Sequence, residues 1–284
     1  MRGVEITVLV PGGELGGWVT GDDTGDAVPV LMLHGGPGLS FGILDGLADE
    51  LGAGFRVATY QQRGLAPSMT DGPYDVATHL EDVRAVLDAL SWDRAYVLGH
   101  SWGGHLALHV AVAMPERLSG VLCVDPLGGV DDGGGAAFEA ALAARTPPEV
   151  WARATELDER AMRGEGTEAE GLESLRLMWP AYFPEWDSAP PMPDDVRMSV
   201  DAYSASFASL TDELPALTAA LGGIGVPVGV LAGEVSPMPV DLAARATADA
   251  IPGAWLDVVA GAGHFPWIDR PGCVRAALLR LTRS

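Results

Sequence analysis

Lysine is missing from this chain of 284 residues, so its 17 basic residues are all arginine and face 39 aspartates and glutamates, for a net charge of −22. Such an acidic surface repels phosphate backbones and anionic lipid, so nucleic acid and membrane surfaces are poor partners. A solvated, soluble exterior is the plainer reading, preferred here over steering of cationic substrates. Cysteine is scarce: Cys123 falls in an apolar run, Cys273 in a helix-like segment, and no CxxC or Cys/His spacing suits zinc. Two reduced, packed thiols in a cytoplasm fit best, with no metal expected. No apolar run reaches membrane-spanning length. Met1 to Val10 carries no basic leader followed by an apolar core and a small-residue cleavage site, so no secretory signal is expected. The composition leaves the oligomeric state open.

What is abundant is glycine, 37 residues of it, punctuating short apolar runs. Val4–Val10 and Leu15–Thr20 flank Pro11-Gly12-Gly13 and predict an antiparallel hairpin. Val28–His34, Phe55–Tyr60, the run that starts at Arg94 and ends on Gly99-His100, Leu118–Val124, Val226–Ala232 and Trp255–Val259 read as strands, several continuous enough to be covered on both faces. Helical spacing lies between them at Phe41–Leu51, Val76–Leu90, Gly104–Met114, Val240–Ile251 and Cys273–Leu281. Alternating strands and helices predict an α/β fold with a doubly wound, mostly parallel sheet. The pattern is interrupted from 128 to 222 by loops rich in glycine, proline and acid, with helical stretches at Ala136–Ala144 and Glu149–Met162. This predicts a core of 1–127 and 223–284 with a helical cap, 128–222, inserted over the sheet's C-terminal edge, where such sheets bind ligands.

The stretch Arg94 to Gly104, RAYVLGHSWGG, reads as strand, tight turn and helix with Ser101 at the turn. Glycines at 99 and 103 remove the side chains that would clash as the strand folds back on the helix, and they leave the Ser101 hydroxyl standing clear as a nucleophile. The Trp102 N–H, at the helix start, is free to stabilise a developing oxyanion. His34-Gly35-Gly36-Pro37-Gly38 ends an earlier strand, and Gly36 is the natural second donor. The plain alternatives are a serine in a structural turn and a glycine needed only for its backbone angles. His100 points elsewhere by chain geometry. His105 and His109 share a helix face with no third ligand, which favours a packed or surface pair.

With HGGPG, GHSWGG at 99–104 and GHFPW at 263–267, the chain resembles the α/β-hydrolase superfamily over essentially its whole length. The combination of HGGPG, Gln62-Arg63-Gly64 and a GxSWG elbow is most similar to the proline iminopeptidase group. The resemblance implies a cofactor-independent serine hydrolase with His264 as general base. It also implies an aspartate after the seventh strand. That position is occupied by Ser236, in Gly233-Glu234-Val235-Ser236-Pro237. Asp125, ending the preceding core strand, can reach the same histidine, an arrangement similar to some haloalkane dehalogenases. Glu234 is the alternative acid, and a strand-end cap before Pro126 is the plain reading of Asp125. Iminopeptidases of this group hold the substrate's amine with cap carboxylates, and no motif here singles out a pair.

The cap segment Trp179 to Trp186 concentrates Trp179, Tyr182, Phe183 and Trp186, either as an acyl pocket or as the cap's own small core. The expected activity is hydrolysis of an ester, lactone, thioester or amide of a small apolar substrate. The alternatives are a proline iminopeptidase-like aminopeptidase and a non-hydrolytic catalyst or ligand-binding protein on the same fold.

Overall fold

The computed structural model describes residues 3–21, 25–44 and 46–283. One sheet of eight strands organises it, in the order β1-β2-β4-β3-β5-β6-β7-β8. The strands are β1 (Val4–Val10), β2 (Gly13–Gly21), β3 (Val28–Leu33), β4 (Phe55–Tyr60), β5 (Ala95–His100), β6 (Leu118–Val124), β7 (Val228–Gly233) and β8 (Trp255–Val259). β1 and β2 form the expected hairpin, and β2 runs antiparallel to β4. Every pairing from β4 through β8 is parallel. After β3 the chain first adds β4 on one side, then returns to place β5 on the other. That reversal opens a crevice beyond the C-terminal ends of β3 and β5, which are the ends that carry HGGPG and Ser101.

Helices cover both faces, which is why the central strands are apolar at successive positions rather than alternate ones. In β3, Leu31 and Leu33 join one buried cluster while Val30 and Met32 join the other, as the two-residue period of a strand requires. The first face packs against α2 (Val76–Ala89) through Val83 and Val86, and against α3 (Trp102–Ala113) through Leu106 and Val110. The second packs against α1 (Leu47–Leu51) and the C-terminal α10 (Cys273–Leu281). Each fully buried leucine or valine here contributes about 1.5–3 kcal/mol relative to exposure.

The remaining helices are α4 (Gly135–Arg145), α5 (Pro148–Met162), α6 (Glu168–Met178), α7 (Val200–Ala220), α8 (Ala246–Ala250) and α9 (Pro266–Asp269). Of these, α4 to α7 lie between β6 and β7. The helical spacing read over Phe41–Leu51 divides into a 3-10 turn, Phe41–Leu44, and the short α1, because Gly46 between them adopts φ +85. Val240–Ile251 likewise begins as a π-helical turn, Val240–Arg245, before α8. The sequence reading named no helix at α6 or α7. α6 opens on a capping box in which Thr167 and Glu170 satisfy each other's backbone donors. α7 runs 21 residues through Pro215 and buries Leu210, Leu214 and Leu217 in the cluster that holds Val83 and Leu106. The inserted segment therefore shares apolar core with the sheet. No described helix is long and apolar enough to cross a membrane.

Candidate active site

Ser101 sits between β5 and α3 with φ 54 and ψ −119. A positive φ is uncommon for a residue with a side chain and must be held by its surroundings. Here its N–H donates to Val124 O at 3.0 Å, and its carbonyl accepts from Gly104 N and His105 N, the first turn of α3. The flanking glycines are dictated by contact: a Cβ on Gly99 would lie 2.0 Å from Gly103 O, and one on Gly103 would lie 2.2 Å from Leu33 O. The HGGPG loop runs alongside, close enough that a Cβ on Gly35 would sit 3.0 Å from Ser101 Cβ. Gly36 has φ +61, and its carbonyl accepts from Leu39 N in a tight turn. Among the described residues, neither the Gly36 N–H nor the Trp102 N–H has an intramolecular acceptor. Both are therefore free to bind a ligand oxygen.

Asp125 directly follows β6 and is also held at positive φ, 44, with its N–H on Leu231 O. Its buried carboxylate is surrounded by donors. Gly233 N–H reaches Oδ1 at 2.9 Å, while His264 Nδ1 and Ser236 Oγ each reach Oδ2 at 2.5 Å. A carboxylate taken out of water needs such partners. Ser236 itself accepts from Met238 N. Donation from Nδ1 to Asp125 leaves Nε2 of His264 as the ring's free acceptor. The His264 backbone is fixed from two sides, its N–H donating to Tyr182 O at 2.8 Å and its carbonyl accepting from His100 Nε2 at 2.9 Å. No hydrogen bond joins Ser101 Oγ to the His264 ring. Both residues line one cavity, and nucleophile–base contacts are often loose without substrate.

Glu234, the alternative acid, is turned away: it is exposed, and its carboxylate accepts from Gly261 N at 2.8 Å. The turn after β7 separates the two positions: Ser236 N–H donates back to Gly233 O at 3.2 Å and its side chain is buried, while Glu234 stays exposed.

The cavity above Ser101 measures about 740 Å³ and lies between the strand ends and α4 to α6. Its wall is mostly apolar and aromatic, including Phe138, Leu142, Trp151 and Met178. Trp179 and Tyr182 are among the residues that line it; Phe183 and Trp186 are not. Phe183 is buried against Trp179 and stacks on Phe265 at 5.4 Å, while Trp186 packs beside Met178 and Ala181. The aromatic segment thus serves as pocket wall and as small core at once. Sequence reasoning missed Asp158, a cavity-lining carboxylate whose pKa is raised by burial. A signal was present: Trp151, Thr155, Asp158 and Met162 recur at helical spacing along α5 and all face the cavity. His105 and His109 are buried residues of α3, His105 against Gly128 O and His109 against His105, with burial lowering their pKa values to about 3 and about 4. Among the described residues no group of three His, Cys, Asp or Glu could hold a metal ion.

Residues 28–271 match the family defined by the α/β-hydrolase fold, and the chain belongs to that family. Hydrolases are among the proteins it is similar to. It is similar to a proline iminopeptidase of Heyndrickxia coagulans, 34% identical over 110 residues that cover 37% of each chain. A proline iminopeptidase of Flavobacterium johnsoniae is 27% identical over 188 residues, 63% of this chain and 60% of that one. These alignments span less than two thirds of the relatives' own lengths. Across the whole chain it is similar to the solved structure of Est816, described as an N-acyl homoserine lactone degrading enzyme. That match has 25% identity and TM-score 0.64, covering 97% of this chain and 99% of that one.

Proposed function

We propose that this protein is a serine hydrolase that cleaves an ester, lactone, thioester or amide of a small, largely apolar substrate through an acyl-enzyme. The observation that carries this reading is the buried 2.5 Å hydrogen bond from His264 Nδ1 to Asp125 Oδ2, beside the cavity that holds Ser101. In this reading Ser101 Oγ attacks the substrate carbonyl carbon as its proton passes to His264 Nε2. The carbonyl π electrons move to oxygen, which the N–H groups of Gly36 and Trp102 stabilise. Collapse expels the leaving group, which takes the proton from Nε2. Water then gives a proton to Nε2 and attacks the acyl carbon, and collapse of the second tetrahedral intermediate returns that proton to Ser101 Oγ. Asp125 holds the ring in the required tautomer and stabilises its charged form. An apolar cavity of this size suits a bulky acyl or alcohol group, and lactone chemistry is the described activity of Est816.

A second reading, an aminopeptidase acting on an N-terminal proline, is favoured by one observation: Asp158 places a carboxylate in the cavity wall, where a substrate amine would be drawn. The two proline iminopeptidase relatives agree with it.

Intact-mass analysis after fluorophosphonate treatment tests the shared chemistry. A single adduct on the wild type that Ser101→Ala lacks supports an activated serine, and a panel of neutral esters, lactones and prolyl amides then separates the two readings. Absence of an adduct, with no turnover of any activated ester, would overturn both in favour of a non-hydrolytic or ligand-binding role.

A further inference from the structure

Two adjacent glutamines follow β4, and together they span the loop that carries Gly36. Gln62 is buried, and its carboxamide bridges two segments far apart in sequence. Its Nε2 donates to His34 O at 3.1 Å, at the start of HGGPG, and its Oε1 accepts from Trp102 Nε1 at 2.9 Å. Its backbone N–H adds a bond to His34 Nε2 at 3.1 Å. Gln61 grips the other end of the loop, donating from Nε2 to Leu39 O at 3.0 Å and accepting at Oε1 from Phe41 N at 2.9 Å. The turn bearing both is anchored by the buried, two-pronged pair of Arg63 with Asp82 of α2, at 2.6 and 2.7 Å.

The amide orientation is set by its partners, because an indole N–H can only donate and a backbone carbonyl can only accept. Of the uncharged side chains of this length, only glutamine meets both demands at once. Glutamate offers no donor for His34 O, and methionine offers neither function. The two bridged segments are those that supply the Gly36 and Trp102 N–H groups. Oxyanion donors stabilise charge best when they need no rearrangement as it develops.

We propose that Gln62 is a positioning residue for the oxyanion hole, one amide fixing the Gly36 loop against the start of α3 so that both N–H groups face Ser101. The inference rests on the serine-hydrolase reading above.

Gln62→Met and Trp102→Phe in the full-length protein test it, the second removing the indole donor while keeping the Trp102 backbone N–H. The probes are a p-nitrophenyl ester and a trifluoromethyl ketone with the same acyl chain, whose serine adduct carries an oxyanion. Folding is followed by circular dichroism and Tm. In folded Gln62→Met, kcat falls about 10- to 100-fold, KM stays within about twofold, and ketone affinity weakens by the same factor as kcat. The double variant is no slower than the slower single one, since both break the same bridge. Unchanged kcat, a loss confined to KM, or a kcat loss without weaker ketone binding would leave Gln62 as ordinary structural support and overturn the proposal. Should Gln62→Met fail to fold, the same readouts on Trp102→Phe decide it. A wild type that takes no Ser101 adduct would instead overturn the underlying hydrolase reading, before any Gln62 result counts.

Discussion

Ser236 Oγ lies 2.5 Å from Asp125 Oδ2, the oxygen that also receives His264 Nδ1. The resemblance to α/β-hydrolases leads one to expect a carboxylate at Ser236. Here a hydroxyl stands there and donates to a carboxylate supplied by the neighbouring strand. The histidine's partner is thus one strand removed in origin, with a serine filling the vacated place.

Asp125→Asn is expected to lower kcat by about 10³- to 10⁴-fold with the fold retained, because an amide no longer enforces the ring tautomer. Glu234→Gln, which alters only an exposed bond to Gly261, is expected to change kcat by less than about twofold. Steady-state kinetics with circular dichroism as a control checks both, and the reverse ranking would refute the assignment of Asp125.

Exchanging the two groups provides a sharper test. Ser236→Ala removes one of the donors to the Asp125 carboxylate and should cost about 1.5–3 kcal/mol of stability, measured by urea unfolding. Asp125→Asn combined with Ser236→Asp returns a carboxylate to the same pocket from β7. It should recover at least about tenfold of the kcat lost in Asp125→Asn. No recovery would show that the β6 origin of the acid is required.

Acid should destabilise the protein well before its carboxylates titrate. All six histidines are buried. Burial holds His34, His79 and His109 down to about 4 and His105 to about 3, and it keeps His100 well below the usual 6.5. The unfolded chain therefore binds more protons than the native one below pH 6.5. Stability is fully present above that value and is lost as pH falls toward the folded values, by up to about 1.4 kcal/mol per pH unit for each of these five histidines. The raised pKa values of Asp82, Asp158 and Asp269, whose main cause is burial, act in the opposite sense. Urea midpoints measured from pH 8 to pH 5 should drop steeply below about 6.5; a flat profile would contradict the burial argument.

Asp158→Asn bears on the substrate class. If the cavity takes a substrate amine, the ratio of kcat/KM for an amine-bearing amide over its neutral analogue should fall by about tenfold or more, since a charge-assisted hydrogen bond is lost. A constant ratio would remove the observation that favours the aminopeptidase reading.

How much of this was legible beforehand follows from the range of the interactions. The strands β4 and β6 coincide with the runs Phe55–Tyr60 and Leu118–Val124 because continuous apolar residues between turn formers have few other solutions. The elbow was equally local: five residues with glycines on either side of Ser101 specify a strand, a turn and a helix start. α7 was not legible, since Pro215 within it argues against a helix and only packing of Leu210, Leu214 and Leu217 on the core overrides that.

Composition, strand periodicity, the α/β class and the positions of Ser101 and the HGGPG turn were determined by the sequence alone, through preferences acting over a few residues. Only the tertiary structure decided that Asp125 and not Glu234 meets His264, 139 positions away, and that Trp179 and Tyr182 line a cavity from which Phe183 and Trp186 are withdrawn. It likewise showed that Asp158 faces inward and that one glutamine joins His34 to Trp102. Each of those outcomes depends on which side chains the strand order brings to one sheet edge, and no local preference along the chain encodes that.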